Sequence, residues 1–436
     1  MKVVTMAIEL NATHDPALRS WVASANEAGS DFPIQNLPFG LFATDGDARG
    51  GVALGDQIID LRALSQSGLL SGGALTAAQA AAGNSLAPLL DASASAVSSL
   101  RAQLSALFSE GSTVDRAALQ AALVPMAAAE LLMPLRPTAF TDFCTSIDHI
   151  KRMGRGKPPP LAAMVLPVAY NGRASSVVTS GTPVVRPTGQ FELPPGSGNV
   201  RYGAEPMLDF ELEFGVWLRG PGNATGTPLG MKAADDMLFG CCLVNDWSAR
   251  GIQFFESILG PHLGKSFLTT ISPWIVTMEA LAPFRVAARA RAEGEPAVPA
   301  HLADARDTAS GGFNIELSAE LATAGGASDT IVRTNLAELF WTLTQMVAHQ
   351  GSNGAPLEAG DLVATGTVSG AAEEARACMV EITGVGANPI TLPDGTTRAM
   401  LEDGDTLTLR GKAVADGYVP IGFGDCAGTI LPAQGA

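Results

Sequence analysis

The stretch Leu208–Leu218 reads LDFELEFGVWL, and its acids are spaced as chemistry would space them. Asp209, Glu211 and Glu213 alternate with Leu208, Phe210, Leu212, Phe214, Val216 and Leu218. In a strand, successive side chains point to opposite faces, so the three acids share one face, about 7 Å apart between Cα atoms. An antiparallel strand with one buried and one wet face accounts for this alternation without any ligand. A cation site accounts for it as well. Two carboxylates brought to about 4 Å repel by roughly 4 kcal/mol at an effective dielectric near 20, and a bound divalent ion reverses that sign. Choosing between the two requires ligands from elsewhere in the chain.

Four other stretches carry candidates. In FGCCLVNDWSARGIQFFE, an apolar run ends at Asn245-Asp246 and a helical pattern follows. Asp246 is placed to cap that helix, and Asp246, Arg250 and Gln253 fall on one helix face. This describes either a capped helix with an i,i+4 ion pair or an acid, a guanidinium and an amide aimed at a pocket. In LGPHLGKSFLTTISPW, Lys265 follows Gly264, with Thr269 and Thr270 behind it, but the spacing of a phosphate loop is absent. In FTDFCTSIDHI, Asp142 and His149 are seven apart, one face if helical. A histidine becomes a general base only when a carboxylate orients it and water is within reach. Glu381 in CMVEITGVG lies in an alternating, strand-like pattern.

The elements that must position these residues follow from turn and periodicity signals. Residues 1–30 are expected to form a short lead-in helix, with Asp15-Pro16 at its start. Short strands follow, with turns at Asp45-Gly46 and Gly55-Asp56. Residues 72–130 are rich in Ala, Leu, Gln and Ser and predict helices packed through small residues. MPLRP, at 133–137, is a domain boundary by its composition. The remainder is β-rich, with helices expected at 247–257 and about 334–350. The Gly/Pro-rich segment 191–206 reads as a surface loop. Hairpins are expected at Asp394-Gly395 and Asp403-Gly404.

Composition narrows the function classes. A chain of 436 residues, 47% hydrophobic, suggests two or three globular domains. A net charge of −16 argues against nucleic acid and anionic membranes as partners. No apolar run reaches the eighteen or so residues that span a bilayer, and Glu9 interrupts the place where a signal peptide needs its apolar core. Cys144, Cys241, Cys242, Cys378 and Cys426 are odd in number and contain no C-x-x-C pair. A disulfide framework is not expected, and a reducing, cytoplasmic location is.

Taken in order, DFPIQNLPFGLF, FTDF…DHI, LPVAYNGRASSVVTSGTPVVRPTGQ, LDFELEF, NDWSARGIQ, LGPHLGKSF, LVATGTVSG and DGYVPIGFGDCAGTILPA resemble the fumarylacetoacetate hydrolase family from about residue 31 to residue 432. The resemblance implies a mainly β fold with α elements (α+β). Residues 1–133 would form an SH3-like barrel domain with a helical extension, and residues 134–436 a catalytic β-sandwich roll, in a homodimer. It implies hydrolysis of a carbon–carbon bond in 4-fumarylacetoacetate; a related acylpyruvate or other β-diketo acid is the alternative substrate. Carried over by motif, Asp142, Glu211, Glu213 and Asp246 would hold Mg2+ and/or Ca2+, with Lys265 and Thr269 in the same metal environment. His149 would be the base, paired with Glu381. Arg250, Gln253 and Lys265 would face the developing oxyanion, and Tyr170, Thr367 and Gln253 would touch substrate. Four carboxylates are hard oxygen ligands, which favours calcium or magnesium over zinc. Several positions depart from the family. Cys144 stands where a substrate-facing tyrosine is usual, Ser257–Gly260 is one residue short, Leu268 replaces a glycine and Gly251 replaces an acid. The segment after His149 is also shortened, which leaves Arg152, Arg155 and Lys157 as alternatives for the substrate carboxylate.

Overall fold

A computed structural model describes residues 9–154, 156–194 and 196–435. The fold is mixed α/β with several sheets. Three strands begin it, β1 (Phe39–Thr44), β2 (Asp47–Leu54) and β3 (Gln57–Asp60), joined by the two turns expected at Asp45-Gly46 and Gly55-Asp56. The Ala-rich segment then forms helices, chiefly α1 (Gly72–Ala81) and α2 (Ala94–Phe108). Ala74, Ala77, Ala78 and Ala81 of α1 are buried, an i, i+3, i+4, i+7 stripe that lets the helices approach closely. Strands β4 (Leu123–Pro125) and β5 (Glu130–Leu132) return to pair with β3 and β1.

The second half adds β6 (Phe140–Cys144), β7 (Val168–Gly172), β8 (Val177–Thr179), β9 (Thr188–Glu192), β10 (Val200–Ala204), β11 (Leu208–Asp209), β12 (Leu212–Leu218) and β13 (Leu238–Asp246). It continues with β14 (Thr269–Ile271), β15 (Trp274–Thr277), β16 (Ile315–Ala322), β17 (Ser328–Asn335), β18 (Leu362–Ala364), β19 (Thr406–Ala413) and β20 (Cys426–Leu431). Thirteen strands from both halves make one sheet, whose main path is β4-β3-β2-β1-β15-β13-β12-β18-β6-β7, with β5, β14 and β8 paired off it. Among the described residues these pairings trace an open path, not a closed ring. A second sheet of six strands runs β17-β16-β19-β20 and on to Val184–Val185, with Ile421–Gly422 beside β19.

Strand β12 explains where the core lies. Phe214, Val216 and Leu218 enter one hydrophobic cluster and Trp217 enters another, shared with the N-terminal helices. Every residue from Leu208 to Leu218 is buried, so the wet face that an amphipathic strand would need does not exist. The acids of this stretch are covered on both sides, which leaves solvation out as their explanation.

Several elements differ from expectation for local reasons. Within 9–30 there are only 3₁₀ turns, Ala12–His14 and Ala23–Asn26, because Asn11 and Asp15 side chains capture nearby backbone N–H groups. The segment 191–206 is largely a hairpin, β9 against β10. The short helices of this half are α3 (Ile147–Met153), α4 (Arg250–Glu256), α5 (Leu343–Gln350) and α6 (Met379–Ile382), of which α3, α4 and α6 carry site residues. The helix expected near 334–350 starts only at Leu343, since β17 runs to Asn335 and a 3₁₀ turn, Leu336–Glu338, follows it. Asp394-Gly395 closes a hairpin between Ile390–Thr391 and Thr397–Arg398. Asp403-Gly404 does not, because β19 pairs instead with β16 and β20.

Candidate active site

Four carboxylates converge where the ends of β6, β12 and β13 meet. Asp142, Glu211, Glu213 and Asp246 are all buried, and each offers an oxygen within 4.8 Å of the others. Asp142 comes from β6, whose parallel pairing sets it opposite Ala364 of β18. Glu213 is the second residue of β12, and Asp246 ends β13. Glu211 lies in a break between β11 and β12. Asp209 makes that break: its Oδ1 accepts from the N–H of Phe210 at 2.8 Å and from that of Met379 at 2.6 Å, drawing the backbone out of the ladder.

Charge compensation divides the acids into two groups. Arg250 donates from Nε to Asp209 Oδ2 at 2.9 Å and places Nη2 2.8 Å from Glu211 Oε1. Lys265 Nζ stands 2.5 Å from Glu211 Oε2 and 2.8 Å from Asp246 Oδ2. Asp246 also accepts from Tyr170 Oη at 2.6 Å and Thr269 Oγ1 at 2.9 Å. By contrast, Asp142 Oδ1 and both Glu213 oxygens are buried with no hydrogen-bond partner among the described residues. Burial, then the neighbouring acids, raises the pKa of Asp142 and of Glu213 well above the usual carboxylate range. Glu211 is lowered, because Lys265, Arg250 and His149 outweigh its burial. Lys265 and Arg250 are raised for the converse reason: their acidic neighbours outweigh burial, so both stay charged. Two uncompensated buried carboxylates flanked by ordered ones are the donor set of a hard divalent cation. On that chemistry the residues present fit magnesium or calcium.

Across a cavity of about 220 Å³ lies the second group. Helix α3 is capped by Ser146, whose Oγ accepts from the N–H of His149 and donates to the carbonyl of Ser369. His149 Nδ1 is 2.5 Å from Glu381 Oε1. Ser369 Oγ donates to that same oxygen at 2.5 Å, and Arg152 Nη1 donates to Oε2 at 2.9 Å. Burial would raise the Glu381 carboxyl, but the His149 charge and hydrogen bond, then Ser369 and Arg152, outweigh it and bring it down to about 2. Arg152 Nη2 is in turn fixed by the carbonyls of Gly370 at 2.8 Å and Ala371 at 3.0 Å.

Asp142, Cys144, His149, Tyr170, Glu211, Gln253, Lys265 and Thr367 all line this cavity, so residues from six separate stretches meet in one place. Arg250 does not line it. Its Nη1 donates to Gln253 Oε1 at 3.0 Å, which leaves the Gln253 amide nitrogen for the cavity. Thr269 reaches the cluster only through its bond to Asp246. Burial pushes the Cys144 thiol well up, so Cys144 is a neutral wall residue and not a nucleophile. A roomier cavity of about 870 Å³ opens on the far side of Glu381, beside Arg152 and Val380, but it touches none of the four carboxylates.

Three expectations about how these residues are held are corrected. Asp142 and His149 do not share a helix face, since Asp142 is on a strand. Glu381 is helical, because the N–H groups of Met379 and Val380 turn to Asp209 at 2.6 and 3.2 Å. Asp246 does not cap α4. That carboxylate is supplied by Glu205, which accepts from the N–H groups of Gly251 and Ile252, both at 2.9 Å. A Cβ at position 251 would stand 2.7 Å from Glu205 Oε1, which explains the glycine found where the family has an acid. At Gly366, in the cavity wall, φ of +76° and the adjoining Phe143 carbonyl leave no room for a Cβ. Of the three basic alternatives, Arg152 is committed to Glu381, Lys157 is exposed and Arg155 lies outside the described residues. Leu268 packs against the core. Glu205 as the cap of α4, and Ser369 and Arg152 as a clamp on Glu381, were not legible in the sequence, because no local pattern marks a partner that distant.

Residues 138–431 match the family described as fumarylacetoacetate (FAA) hydrolase C-terminal, and residues 35–134 match fumarylacetoacetase N-terminal. The fumarylacetoacetase of Oryza sativa subsp. japonica is 41% identical, with 95% of this chain and 98% of that one covered. The fumarylacetoacetase of Bos taurus is 42% identical, with 93% and 97% covered. Among solved structures, Cg1458 with inhibitor has a TM-score of 0.50 at 14% identity, over 91% of this chain and 100% of that one, a likeness of fold alone. With both halves matched and near-complete relatives at this identity, the chain belongs to the fumarylacetoacetate hydrolase family.

Proposed function

We propose that this protein is a fumarylacetoacetase, hydrolysing 4-fumarylacetoacetate to fumarate and acetoacetate in tyrosine and phenylalanine breakdown. The relatives' names supply the substrate. The observation that carries the chemistry is the His149–Glu381 pair facing Asp142, Glu211 and Lys265 across one small cavity. His149 takes the proton of a water on Nε2, while Glu381 holds Nδ1 and stabilises the imidazolium that forms. Gln253 and Lys265 are the donors nearest the carbonyl oxygen under attack; removing one such donor costs about 2.7–4 kcal/mol in other enzymes. The imidazolium then returns its proton to the departing carbanion, so the base is regenerated. Asp142, Glu211, Glu213 and Asp246 would hold Mg2+ or Ca2+, with Lys265 and Thr269 ordering Asp246. A bound ion would supply Lewis-acid stabilisation of negative charge on the diketone oxygens.

Turnover of fumarylacetoacetate beside acylpyruvates, with and without added divalent ion, tests the assignment. Indifference to the first with turnover of the second would transfer the assignment to an acylpyruvate hydrolase, an alternative favoured by Cys144 in the cavity wall.

The arrangement around the site is proposed on the same footing. Residues 1–133 form an SH3-like barrel with a helical extension, and residues 134–436 a catalytic β-sandwich roll. The path β4-β3-β2-β1-β5 supports the barrel: its two end strands are joined by the three-residue turn Met126–Ala128, so the sheet must curl toward itself. The working form is a cytoplasmic homodimer. Five free cysteines fit a reducing compartment, and no helix among the described residues is long and apolar enough to cross a membrane.

A further inference from the structure

Behind Glu381 stands a ligating side chain that the reaction leaves unused. Cys378 is fully buried, with Sγ 3.5 Å from Glu381 Oε1, the oxygen that also meets His149 Nδ1 at 2.5 Å. Each of the three residues offers a ligand atom within 4.8 Å of the other two. Cys378 and Glu381 come from one turn of chain and His149 from α3, so two independent elements aim donors at one point. In a tetrahedral site with bonds of about 2.0–2.3 Å, ligand atoms stand roughly 3.3–3.7 Å apart. The sulfur–oxygen pair already has that separation, and only the imidazole must draw back, by about 1 Å. The donor set differs in kind from the four carboxylates. One thiolate, one imidazole and one carboxylate suit zinc or cadmium, whereas an all-oxygen set suits magnesium or calcium.

We propose that Cys378, Glu381 and His149 form a second metal site, for a thiophilic divalent ion such as zinc, and that filling it switches the base off. The ion displaces the thiol proton of Cys378 to solvent and takes Nδ1 of His149. The ring keeps one proton, which then resides on Nε2. That is the nitrogen that must accept the proton of water, so an imidazole metallated at Nδ1 cannot serve as the base. Without such an ion the thiol stays neutral and inert, since burial, with Glu381 and Asp209 nearby, pushes it well above its ordinary pKa. Glu381 borders the cavity of about 870 Å³, which gives an ion a route that avoids the carboxylate cluster. The blocking effect rests on His149 being the base; the binding does not.

Two measurements on the full chain loaded with magnesium test this. Zinc titrated against turnover should inhibit the native protein. Cys378→Ser, with unchanged turnover in the absence of zinc, should resist by more than the about 10–100-fold that loss of an outer-shell partner costs. Equal sensitivity of the two proteins, or full relief by excess magnesium, would place zinc among the carboxylates and overturn the proposal. Cadmium supplies a readout independent of activity. Its thiolate charge-transfer absorbance should saturate at one equivalent in the native protein, persist in Cys144→Ser and vanish in Cys378→Ser. A band that survives Cys378→Ser rejects the site. A band that requires Cys378 while turnover is undiminished rejects the switch, and leaves the substrate assignment standing.

Discussion

Arg101 in the N-terminal helices and Glu213 in the central strand are both buried ions, and they are treated in opposite ways. Arg101, 4% exposed, has no carboxylate in contact among the described residues. It donates instead to Thr13 Oγ1 at 2.9 Å, the carbonyl of Asn36 at 2.6 Å and that of Gln35 at 2.5 Å. Burial lowers its pKa only to about 10, so it stays charged at neutral pH. Glu213 is 0% exposed and neither oxygen has a partner. The chain thus satisfies a buried cation by neutral groups where it needs architecture, and leaves a buried anion unsatisfied where it needs a ligand. Completeness of hydrogen bonding, more than burial, separates structural from functional charge.

Glu381 is the sharpest test of that contrast, since it is as complete as Arg101 yet is assigned a role. His149→Ala should lower turnover by about 10²–10⁴-fold, while Arg152 and Ser369 keep Glu381 satisfied and the fold intact. Steady-state rates and a melting curve check this, and unchanged turnover removes the base assignment. Arg101→Met should cost about 3–5 kcal/mol in urea denaturation, because it strands two buried carbonyls and a hydroxyl. A cost below about 1 kcal/mol would break the comparison on its structural side. Glu213→Gln should do the reverse. Ion-free protein should gain about 1 kcal/mol, since a repelling charge is removed, while magnesium affinity in calorimetry falls by more than about 100-fold. A loss of ion-free stability would mean that Glu213 is structural after all.

Two smaller effects refine the picture. Arg152→Met should lower kcat by about tenfold with little change in KM, because Glu381 loses the group that fixes its second oxygen. Arg152→Lys should recover part of the loss; a change in KM alone would instead make Arg152 a substrate contact. The last effect is in pH. Asp142 and Glu213 have raised pKa values, so in ion-free protein their contribution is favourable below the ordinary carboxylate range and is lost as pH rises through those raised values. Magnesium competes with the same protons, so the gain in Tm on adding it should be larger near about pH 8 than near about pH 5. An equal gain at both would show that these two acids do not bind the ion.

The sequence made the participants legible and their scaffolding less so. Motif order brought out Asp142, His149, Glu211, Gln253, Lys265 and Thr367, and the structure gathers these around one cavity. Turn residues were equally informative in β1–β3, where Asp-Gly and Gly-Asp steps determine the local chain. Periodicity failed where a distant side chain takes over the backbone. CMVEI alternates like a strand and is helical because Asp209, 170 residues away, captures two of its N–H groups. Asp246 looks like a cap, but a glycine at 251 makes room for Glu205 to do that work. Alternation in LDFELEF implied a wet face and could not reveal that Arg250, Lys265 and the N–H groups of Met379 and Val380 meet its acids there.

The strand order β13-β12-β18-β6 has a kinetic consequence. Its β12-β18 and β18-β6 pairings place segments more than a hundred residues apart side by side, and Asp142 joins the other three carboxylates only once those pairings exist. Closing such long loops comes late, so an ion lacks its full set of four acids in the early, partly ordered chain. Its effect on lifetime therefore falls on the escape from the native state: magnesium slows unwinding of the finished protein and leaves the rate of reaching it nearly unchanged.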